Sequence, residues 1–355
     1  MASSTGQPPG PTPEDGNDRG PPSADGDRDG PDVVLDDPEI WDRRVTVRER
    51  KLRSEAVDDR RRPRSVSDTN EALRDYLRDK NSMSIQFSNG DVEPTSHRFS
   101  DGYAKEKYGK VLGADREIIA DADDLHCAIV TRRGYPWNAD DDGRAPVDFL
   151  DDLLESNSNA MAAYRRHLGE HARVTTIKHH EHGYPHIHDH IWHFGEVDRD
   201  DLKPALAAHV RNSPVARPEG HPVDGAIRVW EADPRPPDGN PSRTPRTSLV
   251  HHCTKHLCWG GGLNQEPSKQ RLMSALWVTG RYSTRFGSTF GEYVERSQDS
   301  AHADDRGEFV GVELADGSTI DAEDMADGGG GTTMVKARPW VDPEDADPIP
   351  DRLCD

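Results

Sequence analysis

The sequence predicts an α+β domain built on an antiparallel sheet. Short apolar or β-branched runs alternate with amphipathic helical stretches in the order strand, helix, strand, strand, helix, strand, helix. This order is typical of α+β folds, and ferredoxin-like arrangements share its outline. No stretch approaches 18 consecutive apolar residues, which excludes a transmembrane helix.

The first elements are helical. Residues 68–79 form an amphipathic pattern that places Leu73, Tyr76 and Leu77 on one face. A longer helix is expected over 102–120, with an interruption near Gly113.

The central elements begin with a buried strand over 124–132, where a short apolar run is bounded by polar residues. A helix is expected over 147–170. Its apolar stripe consists of Phe149, Leu150, Leu153, Leu154, Met161, Tyr164 and Leu168.

Two strands and a capped helix come next. The β-rich residues 173–178 lead through a turn-like stretch into a second strand over 184–194. Asp198 is expected to cap a helix that carries Leu202 and Leu206.

The last elements are more widely spaced. We expect a strand over 226–231 and a helix over 248–259, which the glycines at 260–262 stop. A hairpin is expected over 309–320, around Asp316 and Gly317.

Composition divides the 355 residues into a domain and tails. Only 32% of residues are apolar, while 31 are Gly and 27 are Pro, so a sizeable part is expected to be loop or disordered. We expect a disordered N-terminal arm at 1–66, a linker with a short helix at 67–97, the domain at 98–293, and an acidic, Gly-rich tail at 294–355.

The charge balance favours a halophilic cytoplasm. Asp and Glu number 66 against 45 Lys and Arg, a net charge of −21, and molar salt would screen the resulting self-repulsion. A mesophilic acidic protein with disordered tails is the alternative. The first residues contain no apolar segment of a secretory signal, and the four cysteines do not form a secreted disulfide framework, so a reducing cytoplasm is expected.

One strongly basic run interrupts the acidic chain. Residues 43–64 contain nine Arg and one Lys. The run can be read as a phosphate-binding arm, with Arg60, Arg61, Arg62 and Arg64 as its DNA-binding residues. It can equally be read as a solvated segment in which acidic residues alternate with the arginines.

Histidines concentrate in the second central strand. Seven of the 17 histidines fall between 179 and 193, and His186, His188 and His190 alternate, so a strand places all three on one face. Two imidazoles at i and i+2 can reach one divalent metal, which predicts a metal site. A salt-adapted polar face without a ligand is the alternative.

A second cluster lies in the expected helix over 248–259. His252 and His256 are one helical turn apart, with Lys255 on the same side. This face could close over the metal. Alternatively, Cys253 and Cys258 could form a separate zinc site, for which their spacing on a helix is poor, or the segment could be a plain amphipathic helix.

Five segments in order resemble the HUH (His-hydrophobe-His) replication initiators of haloarchaeal plasmids and viruses, which start rolling-circle replication. The segments are RFSDGYAKEKYGKVLGADREI at 98–118, DLHCAIVTRR at 124–133, PVDFLDDLLESNSNAMAAYRRHLGE at 146–170, GYPHIHDHIW at 183–192 and SLVHHCTKHLCW at 248–259. The resemblance covers about 98–293, over half of the chain.

The resemblance implies a metal-assisted endonuclease. Two histidines and a third polar ligand would hold Mg²⁺ or Mn²⁺ at the scissile phosphate. A tyrosine on the helix would attack phosphorus and remain joined to the 5′ end, and a lysine one turn later, here Lys255, would position the phosphate and the metal.

Two positions depart from the family's pattern. His252 stands where the nucleophilic tyrosine is expected, and Lys178 stands where a ligand glutamate is usual, eight residues before His186. A hairpin that pairs 178 with 186 would bring His180 and His190 to the metal face, and either could be the third ligand. His252 could itself be the nucleophile, since imidazole forms phosphoramidates, and Tyr282 could reach in from the next segment.

Three functions follow. The first is a replication initiator that binds single-stranded or hairpin origin DNA and nicks one strand. The second is a DNA-binding regulator of the same fold without nuclease activity. The third is an unrelated cytoplasmic metalloenzyme with a three-histidine zinc site at His186, His188 and His190. No P-loop is present, so unwinding would come from supercoiling or from a partner such as a host helicase, and no membrane partner is expected.

Overall fold

The computed structural model describes residues 45–48, 51–54, 65–95, 97–136, 143–180, 183–232, 249–254, 267–299, 309–313 and 319–321. All of them belong to one unit that spans residues 36–355. No helix in these ranges is both long and apolar enough to cross a membrane.

The strands in the described ranges are numbered in chain order. They are β1 (Ser84–Phe87), β2 (Val92–Pro94), β3 (Leu125–Arg132), β4 (His171–His179), β5 (Pro185–Phe194), β6 (Ile227–Glu231), β7 (Thr284–Phe286), β8 (Phe309–Glu313) and β9 (Thr319–Asp321).

The α-helices are numbered in the same way. They are α1 (Val66–Asn81), α2 (Asp101–Asp121), α3 (Pro146–Glu155), α4 (Asn157–His167), α5 (Arg199–Asn212), α6 (Val223–Ala226), α7 (Val250–Thr254), α8 (Pro267–Val278) and α9 (Ser288–Asp299).

The main sheet has five antiparallel strands in the order β6-β3-β5-β4-β7. The predicted α+β class with an antiparallel sheet is therefore confirmed. The predicted hairpin register is also present, because Lys178 in β4 pairs with His186 in β5.

Helices cover both faces of this sheet. We call the face that carries His186, His188 and His190 the histidine face. Its apolar part packs under α2, α7 and α9, and the buried residues of this layer include Val111, Ile118, Cys127, Ile129, Val174, Trp192, Val250, Cys253, Phe290 and Val294. The opposite face packs under α4 and α5, through residues that include Val130, Ile191, Tyr164, Leu202 and Leu206.

Two helices differ from the sequence prediction. Helix α2 continues through Gly113, where an added Cβ would lie 2.7 Å from the Ser297 Oγ of α9. This glycine therefore lets two helices approach closely and does not interrupt one. The helix expected over 147–170 is two helices that meet at Ser156, whose hydroxyl contacts the Leu153 carbonyl and the His209 ring.

The hairpin expected over 309–320 is present as β8 and β9, but it does not stand alone. Strand β8 pairs with β1, and a second, four-stranded antiparallel sheet results, with the order β2-β1-β8-β9. Residues assigned from the sequence to a linker and to a tail therefore share one sheet. The sequence pattern missed this because the paired strands are distant in the chain.

The centre of the opposite face holds a buried ion pair. Asp189 and Arg132 are both fully buried, and Arg132 donates to both carboxylate oxygens, with Nε 2.8 Å from Oδ2 and Nη2 3.1 Å from Oδ1. Tyr164 and Thr175 donate to the same carboxylate at 3.0 and 2.7 Å. Burial alone would raise the pKa of Asp189, but the charge of Arg132 and these hydrogen bonds lower it below its ordinary value.

Replacement of Asp189 by asparagine should lower the free energy of unfolding by about 3–5 kcal/mol, because Arg132 would keep a buried charge without its partner. Denaturant unfolding in molar salt, followed by tryptophan fluorescence, measures this. Asp224→Asn is the matched control, since it removes an ion pair with Arg199 that is exposed and worth less than about 1 kcal/mol. Equal losses of unfolding free energy in Asp189→Asn and Asp224→Asn would contradict a stabilising role for the buried ion pair.

Two buried histidines hold the segment after β3, one in α5 and one in the loop that follows α5. His209 Nε2 donates to the Arg133 carbonyl at 2.8 Å, and its Nδ1 lies 2.6 Å from the Ser156 hydroxyl. His221 Nε2 accepts from the Arg133 amide at 3.0 Å, while its Nδ1 donates to the Arg217 carbonyl at 2.7 Å. Both rings satisfy their bonds in the neutral form. Burial lowers the pKa of His209 to about 3 and also lowers the pKa of His221.

These histidines should make the fold sensitive to acid. Below pH 6.5 the unfolded chain gains a proton at His209 that the folded chain does not accept until about pH 3. The free energy of unfolding should therefore decrease as the pH is lowered through this window, by up to about 1.4 kcal/mol per pH unit for this group. Unfolding measured from pH 7 to pH 4 should show a shallower slope in His209→Gln than in the wild type, and identical slopes would refute the assignment.

Candidate active site on the histidine face

The three alternating histidines of β5 line one face, as their spacing predicts. His186 and His190 are buried and His188 is half-buried. The ring centroids of His186 and His188 are 4.8 Å apart, and those of His188 and His190 are 5.8 Å apart. The rings therefore form a continuous row along the strand.

A fourth ring extends this row at the turn between β4 and β5. The His180 ring stacks on His186 with a centroid distance of 4.1 Å and an interplanar angle of 30°. The turn is closed by hydrogen bonds from the His180 amide to the Tyr184 carbonyl and from the Gly183 amide to the His180 carbonyl. Gly183 has φ +79°, and an added Cβ would lie 2.8 Å from the Arg271 side chain, so glycine is required here.

Lys178 is buried directly beside this row, because it pairs with His186 across β4 and β5. Its Nζ donates a hydrogen bond of 2.8 Å to the main-chain carbonyl of His252 in α7. The lysine therefore joins the helix to the polar end of the histidine face. From the sequence, Lys178 was only a departure from the usual ligand glutamate, and its role as a helix anchor was missed.

Helix α7 lies across the histidine face, where the segment after 248 was expected. Val250 and Cys253 are buried in the apolar layer, and the half-buried His252 has its ring centroid 6.4 Å from that of Trp230 in β6. Burial raises the pKa of the Cys253 thiol well above its ordinary value, which disfavours the thiolate that zinc would need.

Several predicted site residues lie outside the described residues. They are Lys255, His256 and Cys258 of the second cluster, and Arg60, Arg61, Arg62 and Arg64 of the basic run. The roles predicted for them stay predictions. Most of the disordered arm expected at 1–66 and most of the acidic tail expected at 294–355 also fall outside these ranges. Residues 45–48 and 51–54 of the arm are described, and there the Thr46 and Val47 amides donate to the Asp148 carboxylate.

The donors near the histidine row fit a divalent ion only in part. The rings of His186 and His188 are close enough for both to turn a nitrogen toward one ion. His190 is fully buried, and its Nε2 lies 3.1 Å from the Thr176 hydroxyl. Within the described ranges, no three His, Cys, Asp or Glu side chains gather in a geometry that could hold a metal. The buried ammonium of Lys178 also repels a cation.

Tyr282 lies at the edge of the sheet beside this site. The Ile177 amide of β4 donates to the Ser283 carbonyl at 2.7 Å, just before β7 begins. Tyr282 is 52% exposed, which only Val92 exceeds among the large apolar residues that the structure describes. The second candidate nucleophile is therefore accessible to a ligand.

Residues 44–247 match the protein family described as "Putative rep protein". This match covers more than half of the chain. The chain belongs to this family of Rep proteins. The matched residues include β3, β4 and β5, and hence the whole histidine row, whereas α7 and Tyr282 follow them.

Two curated relatives come from haloarchaea. One is an "Uncharacterized 36 kDa protein" of Halobacterium salinarum, 27% identical over 61% of this chain and 71% of its own length. The other, of the same description, is from Halobacterium sp. (strain GN101), 25% identical over the same shares. No solved structure matches the Rep chain significantly.

Loss of the Lys178 hydrogen bond should loosen α7. A hydrogen bond from a charged donor contributes about 1.5–3 kcal/mol, so Lys178→Met should speed exchange of the Cys253 amide, which donates to the Leu249 carbonyl, by about tenfold or more. Hydrogen exchange measured by mass spectrometry or NMR tests this. The Ala128 amide in the centre of the sheet is the internal control, and unchanged exchange at Cys253 would exclude the anchor.

Proposed function

We propose that this Rep-family chain is the replication initiator of a haloarchaeal plasmid or virus, and that it acts on single-stranded or hairpin origin DNA at the histidine face. The observation that carries the proposal is the hydrogen bond by which Lys178, the cross-strand partner of His186, holds α7 on the histidine face, beside the row of His180, His186 and His188. The ordered segments of HUH initiators would give the same juxtaposition of a histidine strand and a helix. The haloarchaeal relatives and the net charge of −21 support a haloarchaeal plasmid or virus as the source of the protein.

His186 and His188 would be the first ligands of Mg²⁺ or Mn²⁺, with His180 or His190 as the third. A bound ion would supply positive charge at the scissile phosphate. The row is partly buried, so a phosphate that enters it loses water, and electrostatic contacts there are stronger than on the open surface.

His252 is the proposed nucleophile, because it occupies the position of the family's tyrosine on the helix that packs on the histidine face. Its imidazole nitrogen would form a bond to phosphorus as the bond from phosphorus to O3′ breaks. The 5′ end would stay joined to the protein, and the leaving oxygen would take a proton to become a 3′ hydroxyl primer. Tyr282 is the alternative nucleophile, from the edge of the sheet.

A second candidate function is supported by Lys178. A buried ammonium opposite His186, together with the incomplete donor set in the described ranges, favours a DNA-binding derivative that no longer nicks. Such a protein would regulate replication by occupying the origin. In either case the sequence has no P-loop, so unwinding would depend on supercoiling or on a partner such as a host helicase.

Incubation with origin single strands and Mn²⁺ in molar salt should separate the two functions. The initiator should form a covalent protein–DNA adduct, visible on a denaturing gel, that His186→Ala with His188→Ala abolishes together with Mn²⁺ binding. An adduct to His252 should be acid-labile, whereas His252→Tyr should make it acid-stable.

Four further outcomes are informative. Binding without an adduct, with activity gained only by His252→Tyr plus Lys178→Glu, would establish the derivative that no longer nicks. An acid-stable wild-type adduct that Tyr282→Phe removes would place the nucleophile on Tyr282. Unchanged Mn²⁺ affinity in the double histidine variant would exclude the metal site, and failure of every variant to bind origin DNA would overturn the function.

A further inference from the structure

A strip of alternating aromatic and cationic side chains runs from α1 to β7, beside the histidine face. We call it the aromatic–cation strip. Its members come from several separate segments of the chain. The fully buried Trp277 lies beneath the strip, and the partly or fully exposed members are Arg53, Tyr76, Arg98, Tyr103, Lys107, Tyr282 and Phe286. No part of the proposed cleavage mechanism uses this strip as a surface.

The contacts along the strip are close. Arg53 Cζ lies 5.8 Å from the ring centroids of both Tyr76 and Trp277. Arg98 Cζ lies 5.8 Å from the ring of Tyr282, and Lys107 Nζ lies 5.3 Å from the ring of Tyr103. Each cation thus faces an aromatic ring, which is the arrangement that fixes both groups.

Arg98 is held rigidly below Tyr282. Its Nη1 donates to the Arg281 carbonyl at 2.8 Å, and its Nη2 donates to the Trp277 carbonyl at 3.1 Å, near the end of α8. Because the adjacent Ser283 carbonyl is bonded to β4, the main chain at Tyr282 is fixed as well. The exposed ring therefore sits on a preformed support and would lose little freedom on binding a ligand.

The strip concentrates positive charge in an acidic protein. Among the described residues, no carboxylate lies within 4 Å of the charged groups of Arg53 or Arg98. Burial and the neighbouring charge of Arg53 lower the pKa of Arg98 to about 10. Such a cluster costs free energy in the free protein, and an anion that approaches it would relieve this cost.

The register places the strip next to the proposed cleavage site. Thr284 of β7 pairs with Thr176 of β4, so Tyr282 is level with Lys178, which pairs with His186. Two strand spacings separate Tyr282 from the histidine row, about 10 Å. A nucleic-acid strand that reaches the histidines could therefore cross the ring of Tyr282.

We propose that the aromatic–cation strip binds single-stranded DNA beside the histidine face, with one unpaired base stacked on Tyr282 and the phosphate backbone drawn to the arginines. An exposed aromatic ring flanked by cations suits single strands, because unpaired bases offer their faces for stacking, whereas a duplex hides them. Stacking also persists in molar salt, where ionic attraction is screened within about 3 Å. The inference rests on the proposed function for the choice of DNA but does not require cleavage.

Fluorescence anisotropy with a labelled oligothymidylate of about 12 nucleotides, in EDTA, tests binding without metal chemistry. Tyr282→Leu should weaken binding by about fivefold or more, because a stacked base is lost. Tyr282→Phe should bind as the wild type does, since the ring is kept and only the hydroxyl is removed. Arg53→Gln, which removes the cation that lies over the rings of Tyr76 and Trp277, should weaken binding mainly in low salt.

The matched control is Tyr135→Leu, which removes another ring with an arginine over it, since Arg217 Cζ lies 4.1 Å from the Tyr135 centroid. This pair follows β3, on the far side of β5 and β4 from β7. Its removal should leave the affinity unchanged, and denaturant midpoints verify that the variants fold.

Equal affinity of Tyr282→Leu and the wild type would overturn the proposal, and so would tighter binding to duplex than to single strands. A failure of cleavage leaves these measurements intact, because they are made without metal. If Tyr282→Phe keeps the affinity but loses the adduct, Tyr282 is both the stacking platform and the nucleophile.

Discussion

The carboxylate of Asp189 fixes the arrangement on which the rest of the main sheet depends. It lies in the middle of β5, opposite Thr175 of β4 and Val130 of β3, and it receives hydrogen bonds from Thr175, Arg132 and Tyr164. These bonds exist in one register of the three strands only. A slip of one residue would send the carboxylate to the other face and turn the histidines under α4 and α5. The position of the histidine row thus follows from a buried charge on the reverse of the sheet.

Along β5 the histidine face changes from apolar to polar. Trp192, at one end, is buried in the layer under α2 and α9, and its indole nitrogen donates to buried Asp115. His188 and His186, toward the other end, meet Thr176 and Lys178. The apolar end packs into the core under the helices, and the polar end contacts α7 through Lys178 and remains available to ligands. The alternation of side chains along β5 determines which face carries the histidines. The change from apolar to polar along the strand determines where on that face a ligand can bind.

The features of the fold and of the candidate site that depend on the spacing of nearby residues could be predicted from the sequence. The alternation of histidines, the hairpin register that joins 178 to 186 and the capping box at Asp198 are all present. The break at Ser156 was not predictable, because it depends on a contact with His209, and Gly113 is explained only by the approach of α9. The aromatic–cation strip was missed for the same reason, since its members are spread from Arg53 to Phe286. The metal ligands and the nucleophile remain predictions.

The pairing of β1 with β8 has a consequence for how the chain reaches its native state. Ile85 lies opposite Val312, so the contact joins residues more than 220 positions apart. The chain entropy lost in closing such a long loop must be overcome before the strands gain anything from pairing, which makes this sheet a late and slow step of folding. During synthesis, the main sheet can be complete while β1 and β2 are not yet paired with β8. An unpaired strand edge is open to other chains in that interval.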